Sequence, residues 1–118
     1  MEQEVLERLH QKLLDKRREL QIALNIESQK DSQMDEEGKD PLDAAATYTN
    51  RELVARQIDQ YRQLLLDVEE ALERVEDGTY GICLGSGEPI PIRRLDAIPW
   101  ARYTIDYQEK LEQGLVID

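Results

Sequence analysis

Apolar residues recur at intervals of three and four up to Val75, and beyond that point the rhythm stops. From Glu2 to about Lys30, Leu6, Leu9, Leu13, Leu20 and Ala23 mark one face, with Lys16 interrupting the seam and Leu24 and Ile26 extending the apolar surface. This predicts an amphipathic helix. A second, stronger series follows: Val54, Ile58, Tyr61, Leu65, Val68, Leu72 and Val75 are spaced 4, 3, 4, 3, 4 and 3, and Leu53, Leu64 and Leu66 broaden the stripe. Such spacing keeps seven side chains along one seam of a supercoiled helix. The stretch between the two series is too short and polar to be a domain, so the helices are predicted to pair as an antiparallel hairpin.

The connecting stretch, Met34 to Ala45, carries Asp35, Glu36, Glu37, Asp40 and Asp43 within nine positions. It also holds Gly38 and Pro41, the only Gly and Pro before Val75. Asp40 suits an N-cap, Pro41 suits the first helical position, and Asp43 is placed to bond back as in a capping box. Thr49 and Glu52 offer a later start. A helix from Pro41 to about Glu76 would be roughly 50 Å long at 1.5 Å per residue, with an acidic tip far from the compact end. Acids in a first turn also stabilise a helix simply by capping and by the dipole.

After Asp77-Gly78 the pattern changes. Gly78, Gly81, Gly85, Gly87, Pro89 and Pro91 fall within 14 residues, interleaved with Tyr80, Ile82, Ile90 and Ile92, which predicts short strands joined by tight turns. A last helix is predicted from about Trp100 to Gln113, ended by Gly114. The chain thus divides into a helical hairpin over 1–77 and a small module over 78–118. The fold class is mainly α.

Composition narrows the function. The 118 residues include 40% hydrophobic, 5% aromatic and 35% charged residues and no Phe, a helix-rich composition with a thin core. A formal net charge of -11 opposes binding to nucleic acid phosphates and favours a partner with a basic cleft. No apolar run approaches the roughly 20 residues that span a bilayer, and the charged, amphipathic N-terminus argues against a signal peptide or an anchor. The one cysteine, Cys83, excludes an internal disulfide and fits a reducing, cytoplasmic setting. It reads as a small buried hydrophobe before a reactive thiol. No cofactor motif, phosphate loop or nucleophile with its base is present, so no enzyme constellation emerges.

The stretch from Thr79 to Glu109 resembles the C-terminal zinc-finger module of the DksA/TraR family of RNA polymerase-binding regulators. The family pattern Y/F-G-x-C-x-x-C-G-x-x-I, then R-L-x-A-x-P, then C-x-x-C, is matched by Tyr80-Gly81, Cys83, Gly87, Ile90, Arg94-Leu95, Ala97 and Pro99. The hairpin is similar too, and its tip resembles the D-x-x-D-x-A signature at Asp40, Asp43 and Ala45. The departure is at the metal. The four ligand positions of the family fall on Cys83, Ser86, Thr104 and Tyr107, whereas a structural zinc needs four thiolate or imidazole ligands. His10, the one histidine, lies far off in the first helix and reads as a solvated side chain. The expectation is a metal-free module similar to the zinc-independent members of the family. Its apolar substitute core is expected from Ile82, Ile90, Ile92, Leu95, Ile98, Trp100, Ile105 and Tyr107, with Tyr107 filling the volume left by metal and sulfur.

The resemblance implies that the hairpin enters the secondary channel of RNA polymerase and brings Asp40, Asp43 and Ala45 towards the catalytic centre, altering initiation without specific DNA contacts, as a monomer. It leaves open a Gre-like transcript-cleavage factor and a structural coiled-coil adaptor. Arg93 and Arg94 read either as partners of local carboxylates such as Asp96 or Glu88, or as contacts to polymerase or a nucleotide. Family members that bind ppGpp with polymerase supply basic groups at positions that here are Asp67, Ile98 and Gln108, with Arg94 retained. A polyphosphate requires charge-assisted donors, so ppGpp synergy is expected to be weak or absent.

Overall fold

The computed structural model describes the backbone of residues 1–34 and 41–115 and the side chains of residues 1–29 and 49–115. Among the described residues there are four helices: α1 (Gln3–Met34), α2 (Pro41–Asp77), α3 (Ile92–Ala97) and α4 (Ile105–Glu112). The first two are the long amphipathic helices that the periodicity predicts, and α2 begins at Pro41. None of the described helices is long and apolar enough to cross a membrane.

Packing divides the chain into two compact units, one of Met1–Lys16 with Asp67–Asp118 and one of Arg17–Leu66. The second unit holds α1 from Arg17 onward and α2 as far as Leu66, and among the described residues Leu20, Val54 and Ile58 are its buried side chains. All three belong to the predicted seams, whereas Ile26, Leu53 and Leu66, read as widening them, are about half exposed. Leu66 stands only two positions from the buried Val68, so the helical period turns it away from that side chain.

In the first unit the stem ends of both helices share a core with residues 78–115. Leu9 and Leu13 of α1 are buried in it, as are Val68, Ala71 and Leu72 of α2, and Tyr80, Cys83, Ile90, Leu95 and Ala101 complete the buried set. α2 stops where Gly78 takes φ 79°, a left-handed conformation that costs glycine no Cβ clash. The amides of Thr79 and Tyr80 then close back on the Arg74 carbonyl at 2.9 and 3.1 Å. This bend carries Tyr80 into the core, where its hydroxyl donates to the Pro99 carbonyl at 2.7 Å. Burial, ahead of the opposing charge of Arg74, pushes its phenol up to about 12.

Three expectations for residues 78–115 are corrected. The short strands reduce to one isolated antiparallel bridge, Ile82 with Pro89, because prolines at 89 and 91 cannot donate to a ladder. Ile92, read as strand, opens α3, whose first turn closes when the amides of Arg94 and Leu95 donate to the Pro91 carbonyl. The last helix begins at Ile105, not Trp100: Thr104 is its N-cap, its side chain accepting from the Tyr107 amide. Of the substitute core, Ile90 and Leu95 are buried, whereas Ile82, Ile92 and Ile105 are exposed.

Candidate functional site

Two stretches carry the site residues expected from the sequence. At the tip, Asp40 lies outside the described residues, as do Asp35, Glu36 and Glu37. Asp43 and Ala45 fall in the first turns of α2, and their side chains lie outside the described residues. The capping roles assigned to Asp40 and Asp43 are outside them too.

At the finger, the turns bring Cys83, Ser86, Thr104 and Tyr107 together. The turn after Cys83 is tied by three bonds: the Cys83 amide to the Glu88 carbonyl at 2.8 Å, the Gly87 amide to the Cys83 carbonyl at 3.0 Å, and the Ser86 amide to Cys83 Sγ at 3.4 Å. From the other side, Thr104 Oγ1 stands 4.0 Å from the same sulfur and accepts the Tyr107 amide at 3.2 Å. Thr104 therefore does two jobs at once, capping α4 and facing the thiol. A Cβ added at Gly85 would fall inside the Tyr107 ring, so the ring lies flat over the glycine. Tyr103 flanks it, with centroids 5.3 Å apart.

These donors do not fit a structural zinc. In a tetrahedron with Zn–S arms of 2.3 Å, neighbouring ligands lie about 3.8 Å apart, close to the spacing of Cys83 Sγ and Thr104 Oγ1. That one pair keeps a ligand-like spacing, and the mismatch lies in the chemistry: one thiol, two aliphatic hydroxyls and a phenol. Ser86, Thr104 and Tyr107 border an open cleft of about 500 Å³ with Glu88, Asp106 and Lys110, which adds no sulfur or imidazole. Among the described residues, no group of three or more His, Cys, Asp and Glu side chains is placed to hold a metal.

The thiol itself is unusual. Cys83 is 2% exposed. Burial pushes its ionisation up, but hydrogen bonds from the Ser86 side chain and from the amides of Ser86, Thr104 and Gly85 outweigh that and bring it down from 9.0 to about 7. Such amides favour the thiolate over the thiol.

Arg93 and Arg94 part company. Arg94 Nε donates to the Tyr103 carbonyl at 2.8 Å, so its partner is a backbone oxygen and not Asp96 or Glu88. Arg93 is exposed, and the two border a smaller cleft of about 250 Å³ with Pro91, Ala97, Ile98 and Ile105. Asp96 pairs instead with Arg8 and Lys12 of α1. The sequence reading missed that pairing and that of Arg102 with Asp67 and Glu70 of α2. No local spacing signals either one, since the partners are separated by 32 to 88 positions.

The family model of the prokaryotic dksA/traR C4-type zinc finger matches residues 78–113. An uncharacterized protein of Aquifex aeolicus is 37% identical over 117 residues, which cover 96% of this chain and 80% of that one. The RNA polymerase-binding transcription factor DksA of Caulobacter vibrioides is 43% identical over 74 residues, covering 63% of this chain and 52% of that one, so the match spans about half the length of that relative. Among solved structures, transcription factor DksA2 from Pseudomonas aeruginosa superposes with a TM-score of 0.88 at 31% identity, over 97% of this chain and 88% of that one. With the finger pattern in register and the likeness extending over nearly the whole length, the chain belongs to the DksA/TraR family.

Proposed function

We propose that this protein is a transcription regulator that binds RNA polymerase through the enzyme's secondary channel and modulates initiation with the tip residues Asp40, Asp43 and Ala45. The observation that carries the reading is the likeness, over 97% of the chain, to a protein named as a transcription factor. The relative from Caulobacter vibrioides is named as RNA polymerase-binding. The physical character agrees: a net charge of -11 suits a basic, magnesium-containing channel and leaves no broad surface for DNA phosphates. In this reading the protein is a cytoplasmic monomer, not an enzyme, and reads no DNA sequence.

The module works without zinc, because three of its four ligand positions carry hydroxyls. Synergy with ppGpp is weak or absent. Asp67 is held by Arg102, Gln108 is paired with Glu112, and Arg94 spends its Nε on the Tyr103 carbonyl, so the cluster offers a polyphosphate few free donors.

Promoter-specific transcription with purified polymerase tests the proposal, run with and without ppGpp and with and without a zinc chelator. The expected result is altered initiation that neither addition changes. Asp43→Asn should still be captured with core polymerase but should lose regulation. No capture of the unmutated protein would sink the reading, and strong ppGpp potentiation lost on Arg94→Ala would overturn its nucleotide part. One zinc per chain after purification with added zinc would overturn the metal-free part. Cleavage of a backtracked transcript would move the assignment to a Gre-like factor.

A further inference from the structure

Arg8, Lys12 and Lys16 recur every four residues on α1 and so share one face of its stem. Arg8 Nη1 and Lys12 Nζ both donate to Asp96 Oδ1, Lys12 at 3.2 Å, and Lys12 also reaches the Asp96 carbonyl at 3.2 Å. The Lys16 ammonium stands 5.9 Å from the centre of the Trp100 ring, within cation–π range. On the α2 stem the polarity is reversed. Asp67 Oδ1 and Glu70 Oε2 both accept from Arg102 Nη2, at 2.6 and 2.7 Å. Arg74, one turn beyond Glu70, has its Nη2 buried with no hydrogen-bond partner.

Residues 96–102 thus present an acid, an aromatic ring and a base within seven positions, the acid and the ring matched to cations on α1 and the base to carboxylates on α2. Turned the other way, Asp96 would face Asp67 and Glu70, and Arg102 would face Arg8 and Lys12. All four of those pairs repel. All six charged side chains are between a quarter and a half exposed, and pairs of that kind add little to folding stability. Charge complementarity instead fixes register and rejects the wrong pairing. Leu95, fully buried beside Asp96, anchors the segment but is apolar and carries no such sign.

We infer that Asp96 and Arg102 are positioning residues that lock segment 96–102, and with it the finger, in one setting on the two stems, and that through this setting they govern how effectively the protein regulates polymerase. The second half of this inference rests on the function proposed above. The first half stands without it.

Nitroxide labels at Glu4→Cys and Glu109→Cys, both exposed positions, in the full chain carrying Cys83→Ser so that only these two thiols are labelled, read the setting in the free protein by dipolar distance measurement. Asp96→Lys and Arg102→Glu should each shift Tm by no more than about 5 °C yet broaden the distance distribution. They should also raise the half-maximal concentration for regulation by about three- to tenfold. The charge swap Arg8→Glu, Lys12→Glu, Asp96→Lys should restore both the narrow distribution and the regulation. A distribution that stays narrow in Asp96→Lys, or a swap that restores nothing, overturns the inference. If the unmutated protein has no effect on polymerase, the proposed function fails and the distances alone decide the locking role.

Discussion

Along the stems, Leu9 and Leu13 of α1 and Val68 and Leu72 of α2 are buried at intervals of four. In the finger, Tyr80, Cys83, Ile90, Leu95 and Ala101 are buried at intervals of three, seven, five and six. A helix presents its side chains by a fixed rotation, so one face suffices to say what is inside. The finger presents them by turns. Each buried residue there depends on a particular bend: Gly78 for Tyr80, the knuckle after Cys83, the Pro91 carbonyl for Leu95. The comparison teaches that hydrophobicity predicts burial only where the backbone is regular, and that the finger's core is delivered by its hydrogen-bonded turns.

The largest expected effect contrasts the core with an apolar position that the stem leaves outside. Leu95→Ala should cost about 2–5 kcal/mol in denaturant unfolding, because it empties a fully buried site. Leu53→Ala, at a position 56% exposed, should cost less than about 0.5 kcal/mol. Equal losses would show that exposure in the stem does not report packing.

A smaller effect probes the turn after Cys83. Gly85→Ala pushes a methyl into the Tyr107 ring and should destabilise by about 1–3 kcal/mol. Tyr107→Ala in the same chain should abolish most of that increment. Losses that simply add in a double-mutant cycle would mean that the cost of the added methyl does not come from the ring, and the close packing of Tyr107 on Gly85 would be refuted.

Smallest is the thiol. Folded Cys83 ionises near 7, against its ordinary 9.0, so between those values the unfolded chain binds more protons. Stability should therefore rise with pH across that window, by roughly 1–2 kcal/mol, and the gain should vanish as pH falls through 7. Unfolding midpoints at pH 6.5 and 9, compared with Cys83→Ser, check the sign. A slope that survives in Cys83→Ser would assign it to another group.

Much of the stem was legible because its rule is local. The buried residues Leu9, Leu13, Leu20, Val54, Ile58, Val68 and Leu72 are all members of the seams read from spacing, and Pro41 marked the start of α2. Ala71 was missed because a small side chain makes no mark in a pattern of large ones, yet it is fully buried. The finger was legible as a motif and misread as a conformation. Alternation of Ile90, Pro91 and Ile92 looks like a strand, but Pro91 lacks the donor a ladder needs and its carbonyl starts a helix instead. Thr104 was read as a vacated ligand position, and this obscured its ordinary value as an N-cap.

Some properties belong to the sequence by itself. Which face of each long helix is apolar follows from residue order, because the helical period is fixed by the backbone. That the finger's four ligand positions hold one thiol and three hydroxyls is likewise settled by residue identity, since no fold can turn Ser86, Thr104 or Tyr107 into a sulfur ligand. Tertiary structure alone decided the rest. Tyr107 covers Gly85, the Ser86 and Thr104 groups draw down the Cys83 thiol, Asp96 meets Arg8, and Arg102 meets Asp67. Those pairings join residues whose separation along the chain carries no signal, and they exist only because the turns between them close.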